Sequence, residues 1–158
     1  SFALQEELGQ ITLADTSQGM LDVLAEKIST SDVRNMKPLR LDLSTDPLPD
    51  ERFAITYSLM TLHHIHNTQD ILKKFHALLE PGGDLMVADL DKEDGSFHTD
   101  GTTDIHKGFA RSELQKQVEA AGFEEIAFFT AYTIKKKIEE KEKFFPVFLM
   151  SARKRSGH

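Results

Sequence analysis

The residues best suited to chemistry are histidines and carboxylates placed around short apolar runs. His63, His64 and His66 follow the run Phe53 to Met60, and Asp89 and Asp91 close the run that starts at Asp84. His98 and His106 stand further on, in a polar stretch. An imidazole titrates at about pH 6.5, so His63, His64, His98 and His106 are candidate general bases for taking a proton from a nucleophile. His63, His64 and His66 with Asp89 and Asp91 could instead hold zinc or iron, although H-H-x-H is no standard local metal spacing. Asp15 and Asp42 stand near the ends of two other apolar runs, where a carboxylate either meets a ligand or caps the helix or turn that follows.

These residues need elements to hold them. Phe53 to Asp91 reads as a βαβ unit: a buried strand to Met60, a His-bearing loop, an amphipathic helix, a Pro81-Gly82-Gly83 break and a second strand, Asp84 to Leu90. In the helix Ile71, Leu72, Phe75, Leu78 and Leu79 share one face, while Lys73, Lys74 and His76 face away. Asn67 or Thr68 can cap its start and Asp70 suits the first turn. A right-handed crossover makes the two strands parallel, so Ser58 to His66 and Asp89 to Asp91 should share one crevice at their carboxyl ends. There His63 either lines a ligand or takes a capping or packing role. His64 points into the packing of the next helix, and His98 and His106 default to solvated loop positions.

Taken in order, Ser1 to Leu8 reads as the back half of a helix ended by Gly9. Ile11 to Asp15 is a buried strand, and Thr16-Ser17 caps a helix carrying Met20, Leu21, Leu24 and Ile28. A polar connection leads to the strand Leu39 to Leu43, then to a loop, Asp46-Pro47-Leu48-Pro49-Asp50. After the βαβ unit, Lys92 to Gly108 is polar and glycine-bearing, and is either a lid or a disordered segment. Ser112 to Gln115 is a capping box for a helix with Leu114, Val118 and Ala121 inward and Gly122 at its end. Glu125 to Ile138 and Phe144 to Lys154 should form an antiparallel hairpin at the sheet edge, joined by the turn Glu139 to Lys143.

The composition narrows the class. With 158 residues and 39% apolar content, one domain over residues 1–155 can build a core. The final Ser156-Gly157-His158 reads as a vector remnant. No apolar run approaches the roughly 20 residues a membrane helix needs and no signal pattern is visible, so the expected location is cytoplasmic with no membrane partner. No cysteine is present, which removes disulfides, thiolate catalysis and Cys-based zinc sites. A net charge of −7 argues against nucleic acid as partner. Lys135-Lys136-Lys137 and Arg153-Lys154-Arg155 then read as solvated strand ends.

The order of elements resembles the class I S-adenosylmethionine-dependent methyltransferases, in particular the type 11/type 12 small-molecule group. Leu62-His63-His64 and Leu79-Glu80-Pro81-Gly82-Gly83 match that group's LHH-like turn and its L-x-P-G-G. The resemblance implies an α/β, Rossmann-like, doubly wound, mostly parallel sheet ending in an antiparallel hairpin. It implies S-adenosyl-L-methionine as cofactor, with Asp15 on the ribose hydroxyls and Thr16 beside it, Asp42 at the adenine amino group and Leu43 against the ring. Tyr57, Ser58, Leu59 and His63 fall on the methionine and acceptor side. The sulfonium is already an activated electrophile, so the protein would align a small-molecule nucleophile for direct in-line transfer, with His63 the candidate base.

One part of the pattern has no counterpart. The family's first, central strand and its glycine-rich turn are not found, and Gly82-Gly83 stands in the wrong order for that turn. The expectation is an N-terminally truncated domain lacking roughly 30 to 50 residues, with inner sheet edges open to another chain, hence a homo-oligomer. A non-catalytic interaction or dimerisation module is the alternative, and a His/Asp metal enzyme the minor one. A nicotinamide dehydrogenase lacks its glycine fingerprint here.

Overall fold

The computed structural model describes residues 11–15, 18–31, 35–43, 45–59, 62, 65, 67–93, 97 and 107–155. The chain divides into two compact units, Ser1–Pro47 and Leu48–His158.

In the first unit, strand β1 (Ile11–Asp15) pairs in parallel with β2 (Met36–Arg40), and helix α1 (Gln18–Ser29) crosses between them. β1 and α1 fall where the apolar pattern puts them, with Leu21 of α1 buried. The last turn of α1 leaves carbonyls without helical partners. The hydroxyl of Ser29 donates to Glu26 O at 2.8 Å and that of Ser31 to Ile28 O at 3.1 Å.

β2 begins and ends three residues earlier than the sequence pattern suggests, and the reason is local. Asp42 N donates to Asp46 Oδ2 at 2.9 Å, while Asp42 O accepts from Thr45 N and Asp46 N at 3.1 and 2.7 Å. A short acidic side chain competes with the ladder for Asp42's backbone groups, so the strand stops at Arg40 and Asp42 belongs to a turn.

The second unit is a four-stranded mixed sheet in the order β3-β4-β6-β5. Strand β3 (Phe53–Leu59) leads to helix α2 (Thr68–Leu78), then β4 (Leu79–Leu90), parallel to β3. Helix α3 (Arg111–Ala120) precedes β5 (Phe123–Ile138) and β6 (Lys141–Lys154); β6 runs antiparallel to both β4 and β5. The sheet is therefore the expected α/β arrangement with a terminal hairpin, whose outer strand β5 forms one edge.

Helix α2 forms as its periodicity demands. Ile71, Leu72, Phe75 and Leu78 are buried, each worth about 1.5–3 kcal/mol relative to exposure. Asn67 Oδ1 accepts from Asp70 N at 3.0 Å, and Lys154 Nζ donates to His76 O and Leu79 O at 2.9 and 2.8 Å, so both ends are satisfied. Pro81-Gly82-Gly83 does not break the chain. It lies inside β4 as an irregularity in which two steps along β3, Phe53 to Ile55, match five along β4, Leu79 to Asp84. A Cβ at Gly83 would sit 2.9 Å from Glu80 O and 3.0 Å from Ala54 O, so only glycine lets the two backbones come this close.

Two other local expectations yield to tertiary contacts. α3 starts at Arg111 with Ala110 at its N-cap and no side-chain cap, so Ser112 lies inside the first turn and the capping box does not form. The hairpin turn is two residues, Glu139-Glu140, with φ of 50° and 66°. Both central residues are left-handed, as a tight hairpin requires, without the glycine or asparagine that usually signals it.

On one face of this sheet Leu85, Val87, Phe148, Met150 and Ala152 are buried together with the inward residues of α2 and α3. Alternation puts Ile55, Tyr57, Leu59 and Met86 on the other face, where all four are exposed. Further along that face, Ala88, Leu90, Phe97, Phe145 and Val147 form a second core.

Candidate functional site

Each unit presents the carboxyl ends of a parallel strand pair, the place where open α/β sheets bind ligands. In the first, Asp15 ends β1 opposite Arg40, and Asp42 follows two residues after Arg40 in the turn described above, with Leu43 next to it and half-buried. The pair thus brings Asp15 and Asp42 to the same end of the strands, as expected. Thr16 lies outside the described residues.

In the second unit, Ser58 stands opposite Val87 and Leu59 opposite Ala88. Ser58 is half-buried, whereas Leu59 is 62% exposed. Tyr57 is 41% exposed, and partial burial of its phenol raises the pKa from the ordinary value. Leu62 is fully buried. His63, His64, His66, His98 and His106 lie outside the described residues.

The carboxylates at the end of β4 are engaged elsewhere. Asp89 is fully buried and accepts from Leu90 N through Oδ1 at 2.7 Å. Asp91 forms a two-pronged ion pair with Arg111, Nε to Oδ1 at 2.8 Å and Nη2 to Oδ2 at 2.9 Å, and the same Nη2 donates to Thr130 Oγ1 at 2.8 Å. This clamp ties the end of β4 to α3 and β5, which removes Asp91 from the metal set considered above. No group of three or more metal-ligating side chains occurs among the described residues.

Arg111 carries no motif and was not legible from the sequence. Its only signal is position, one residue before the Ser112 pattern. The basic clusters are likewise more committed than solvated strand ends: Lys135 pairs with Glu142 at 3.0 Å, Arg153 with Asp84 and Glu125 at 3.1 Å each, and Lys154 caps α2. Among the described residues no helix is long and apolar enough to cross a membrane.

Comparison with known proteins bears on the family. A family model described as methyltransferase domain matches residues 1–83. An uncharacterised methyltransferase of Schizosaccharomyces pombe is 36% identical over 96 residues, 56% of this chain and 34% of that protein. The ubiquinone/menaquinone biosynthesis C-methyltransferase of Shewanella pealeana is 32% identical over 87 residues, 54% of this chain and 35% of that one. The matched stretch is thus about a third of the length of these relatives. Phosphoethanolamine N-methyltransferase 2 of Haemonchus contortus, solved with S-adenosyl-L-methionine, superposes with a TM-score of 0.77 at 14% identity, covering 98% of this chain and 45% of that one.

Proposed function

Because the chain belongs to the methyltransferase domain family, we propose that it binds S-adenosyl-L-methionine and serves methyl transfer to a small molecule. The observation that carries this reading is the pairing of β1 with β2, which sets the carboxylate-bearing positions 15 and 42 at one end of two parallel strands, within the stretch the family model matches. In this reading Asp15 accepts from the ribose diol with Thr16 beside it, Asp42 accepts from the adenine amino group and Leu43 covers the purine. Ser58 and Leu59 line the methionine and acceptor side, and His63 is the base that takes the acceptor's proton.

The cofactor supplies an electrophilic methyl group on a sulfonium. What remains for the protein is to orient the acceptor in line with the bond that breaks, to exclude water and to receive a proton. Small-molecule acceptors agree with the acidic charge of the chain, and the name of the Shewanella relative makes a carbon nucleophile one candidate class.

A second reading has its own observation. Alternation leaves Ile55, Tyr57, Leu59 and Met86 exposed together on one face of the β3–β4 pair. A non-catalytic module that associates with another copy through this apolar face would use the same features. Isothermal titration of S-adenosylhomocysteine into the chain and into its Asp15→Ala variant separates the two. Micromolar binding that the variant loses supports the methyltransferase reading, whereas a folded chain that takes up no ligand and sediments as a dimer supports the second.

A further inference from the structure

Strand β5 runs along the outside of the sheet for 16 residues, and among the described residues its ladder is with β6 alone. The outward side of such a strand carries backbone donors and acceptors to which another strand can add. Phe129, Thr130, Ala131, Tyr132 and Thr133 are exposed in succession, so the middle of this edge is open. Two aromatic rings lie in that opening, Phe129 at 52% and Tyr132 at 47% exposure.

The register with β6 shows how the strand is laid out. Phe129 stands opposite Leu149 and Tyr132 opposite Val147, so both rings are on one face although three positions separate them on β5. The irregularity between Thr130 and Tyr132 supplies the extra residue. Outward from it on the same face come Ala127 on one side and Ile134 on the other, then Glu124 and Lys136. The charges invert across this centre. The first half of β5 carries Glu124 and Glu125, the second Lys135, Lys136 and Lys137, and nothing charged lies between them.

Lysines on an edge strand commonly keep other strands away. With two glutamates at the opposite end, the same charges select one arrangement instead. A second β5 laid parallel would set like charges against each other, which destabilises a ladder, whereas an antiparallel one sets unlike charges together.

We propose that the outer edge of β5 is a docking surface for a second copy of this chain, the two β5 strands pairing antiparallel about a two-fold axis at Thr130-Ala131. Phe129 of each copy then stands opposite Tyr132 of the other, Ala127 opposite Ile134, and Glu124 and Glu125 face Lys135 and Lys136. The two sheets join edge to edge. Existing ion pairs leave room for this exchange: Lys135–Glu142 and Glu125–Arg153 join side chains about half exposed, where such pairs are weak. Lys136 donates to the Phe97 carbonyl at 2.6 Å and is left untouched by the test. The proposal rests on neither reading of the site, and its surface is separate from the face formed by Ile55, Tyr57, Leu59 and Met86.

Sedimentation velocity of the full 158-residue chain, from about 1 to about 500 μM, tests it together with two charge reversals, Glu124→Lys/Glu125→Lys and Lys135→Glu/Lys137→Glu. The wild type should pass from monomer to dimer mass over this range. Each reversal alone places like charges at both ends of the pairing and should stay monomeric, while the two mixed in equal amounts should recover the dimer. The chain has no cysteine, so a single one reports on the axis even where a reversal fails to fold. Ala131→Cys should form an intermolecular disulfide at least about tenfold faster than Glu113→Cys, an exposed position on α3. A wild type that stays monomeric, folded reversals that do not recover a dimer on mixing, or equal cross-linking rates would overturn the proposal. A dimer that survives both reversals and is lost in Leu59→Lys would overturn it in favour of the β3–β4 face.

Discussion

Arg111 and Asp91, twenty positions apart in the chain, meet through two parallel hydrogen bonds of 2.8 and 2.9 Å, and this fork starts α3 at the carboxyl end of β4. The side chains are about one-third and one-quarter exposed, so the pair is neither a free surface bridge nor a fully desolvated one. Arg111→Ala should therefore cost about 1–3 kcal/mol, as expected for a hydrogen-bonded charge at this depth. Arg111→Lys should recover less than half of that loss, because an ammonium cannot reproduce the fork. Urea unfolding of the three chains measures both, and equal stability of Arg111→Ala and the wild type would refute the clamp.

Two glycines should differ in tolerance. A Cβ on Gly108, at φ 74°, would lie 2.1 Å from Asp91 O and 2.6 Å from Asp91 C, all rigid backbone. On Gly122, at φ 105°, it would meet the His76 ring at 2.9 Å, which a side chain can relieve by turning. Gly108→Ala should lose more than about 3 kcal/mol or fail to fold, and Gly122→Ala about 1–2 kcal/mol. Thermal melts that rank the two in the reverse order would contradict the geometry.

His76 sets a pH dependence. Burial, and then the nearby charge of Lys154, hold its pKa below the ordinary value of about 6.5, and its ring stands edge-on to Phe123 at 5.0 Å. The unfolded chain binds this proton more readily than the folded one, so stability is present above about pH 6.5 and is lost as pH falls below it. His76→Gln should flatten the slope of melting temperature against pH between about 6.5 and 5. An unchanged slope would assign the dependence to other groups.

The N-cap of α2 gives a local test. Asn67→Ala removes the acceptor for Asp70 N and should cost about 1 kcal/mol, while Asn67→Asp should retain most of the stability. Chemical denaturation monitored by circular dichroism reads the difference.

Under the methyltransferase reading the two strand-end carboxylates should not weigh equally. Asp15→Ala removes both acceptors of a diol and should weaken S-adenosylhomocysteine by about a hundredfold, whereas Asp42→Ala, a single amine contact, should weaken it about tenfold. Titration calorimetry orders them, and an Asp15→Ala variant that binds like the wild type would remove Asp15 from the site.

What the sequence by itself determined is what depends on near neighbours. The 3.6-residue period of Ile71, Leu72, Phe75 and Leu78 and the cap at Asn67 act within one helix, so α2 was legible in place, whereas Leu79 and the Pro81-Gly82-Gly83 run belong to β4 and not to the helix and its break. The apolar runs of β1 and β3, the order of elements and the positions of Asp15 and Asp42 near strand ends were legible for the same reason, and with them the family.

The rest depended on partners that no local pattern names. β2 stops at Arg40 because the Asp46 carboxylate takes Asp42's backbone, a competition the apolar run Leu39 to Leu43 does not show. The Ser112 box yields to a clamp made with Asp91, and the Glu139-Glu140 turn is imposed by the ladder that runs from Phe123 to Lys154. Lys136, one lysine in a basic run, becomes specific only when folding brings Phe97, 39 positions away, beneath its ammonium. Hydrogen-bond geometry and desolvation fix such contacts, and both exist only once the sheet has set the register. Tertiary structure alone could decide them.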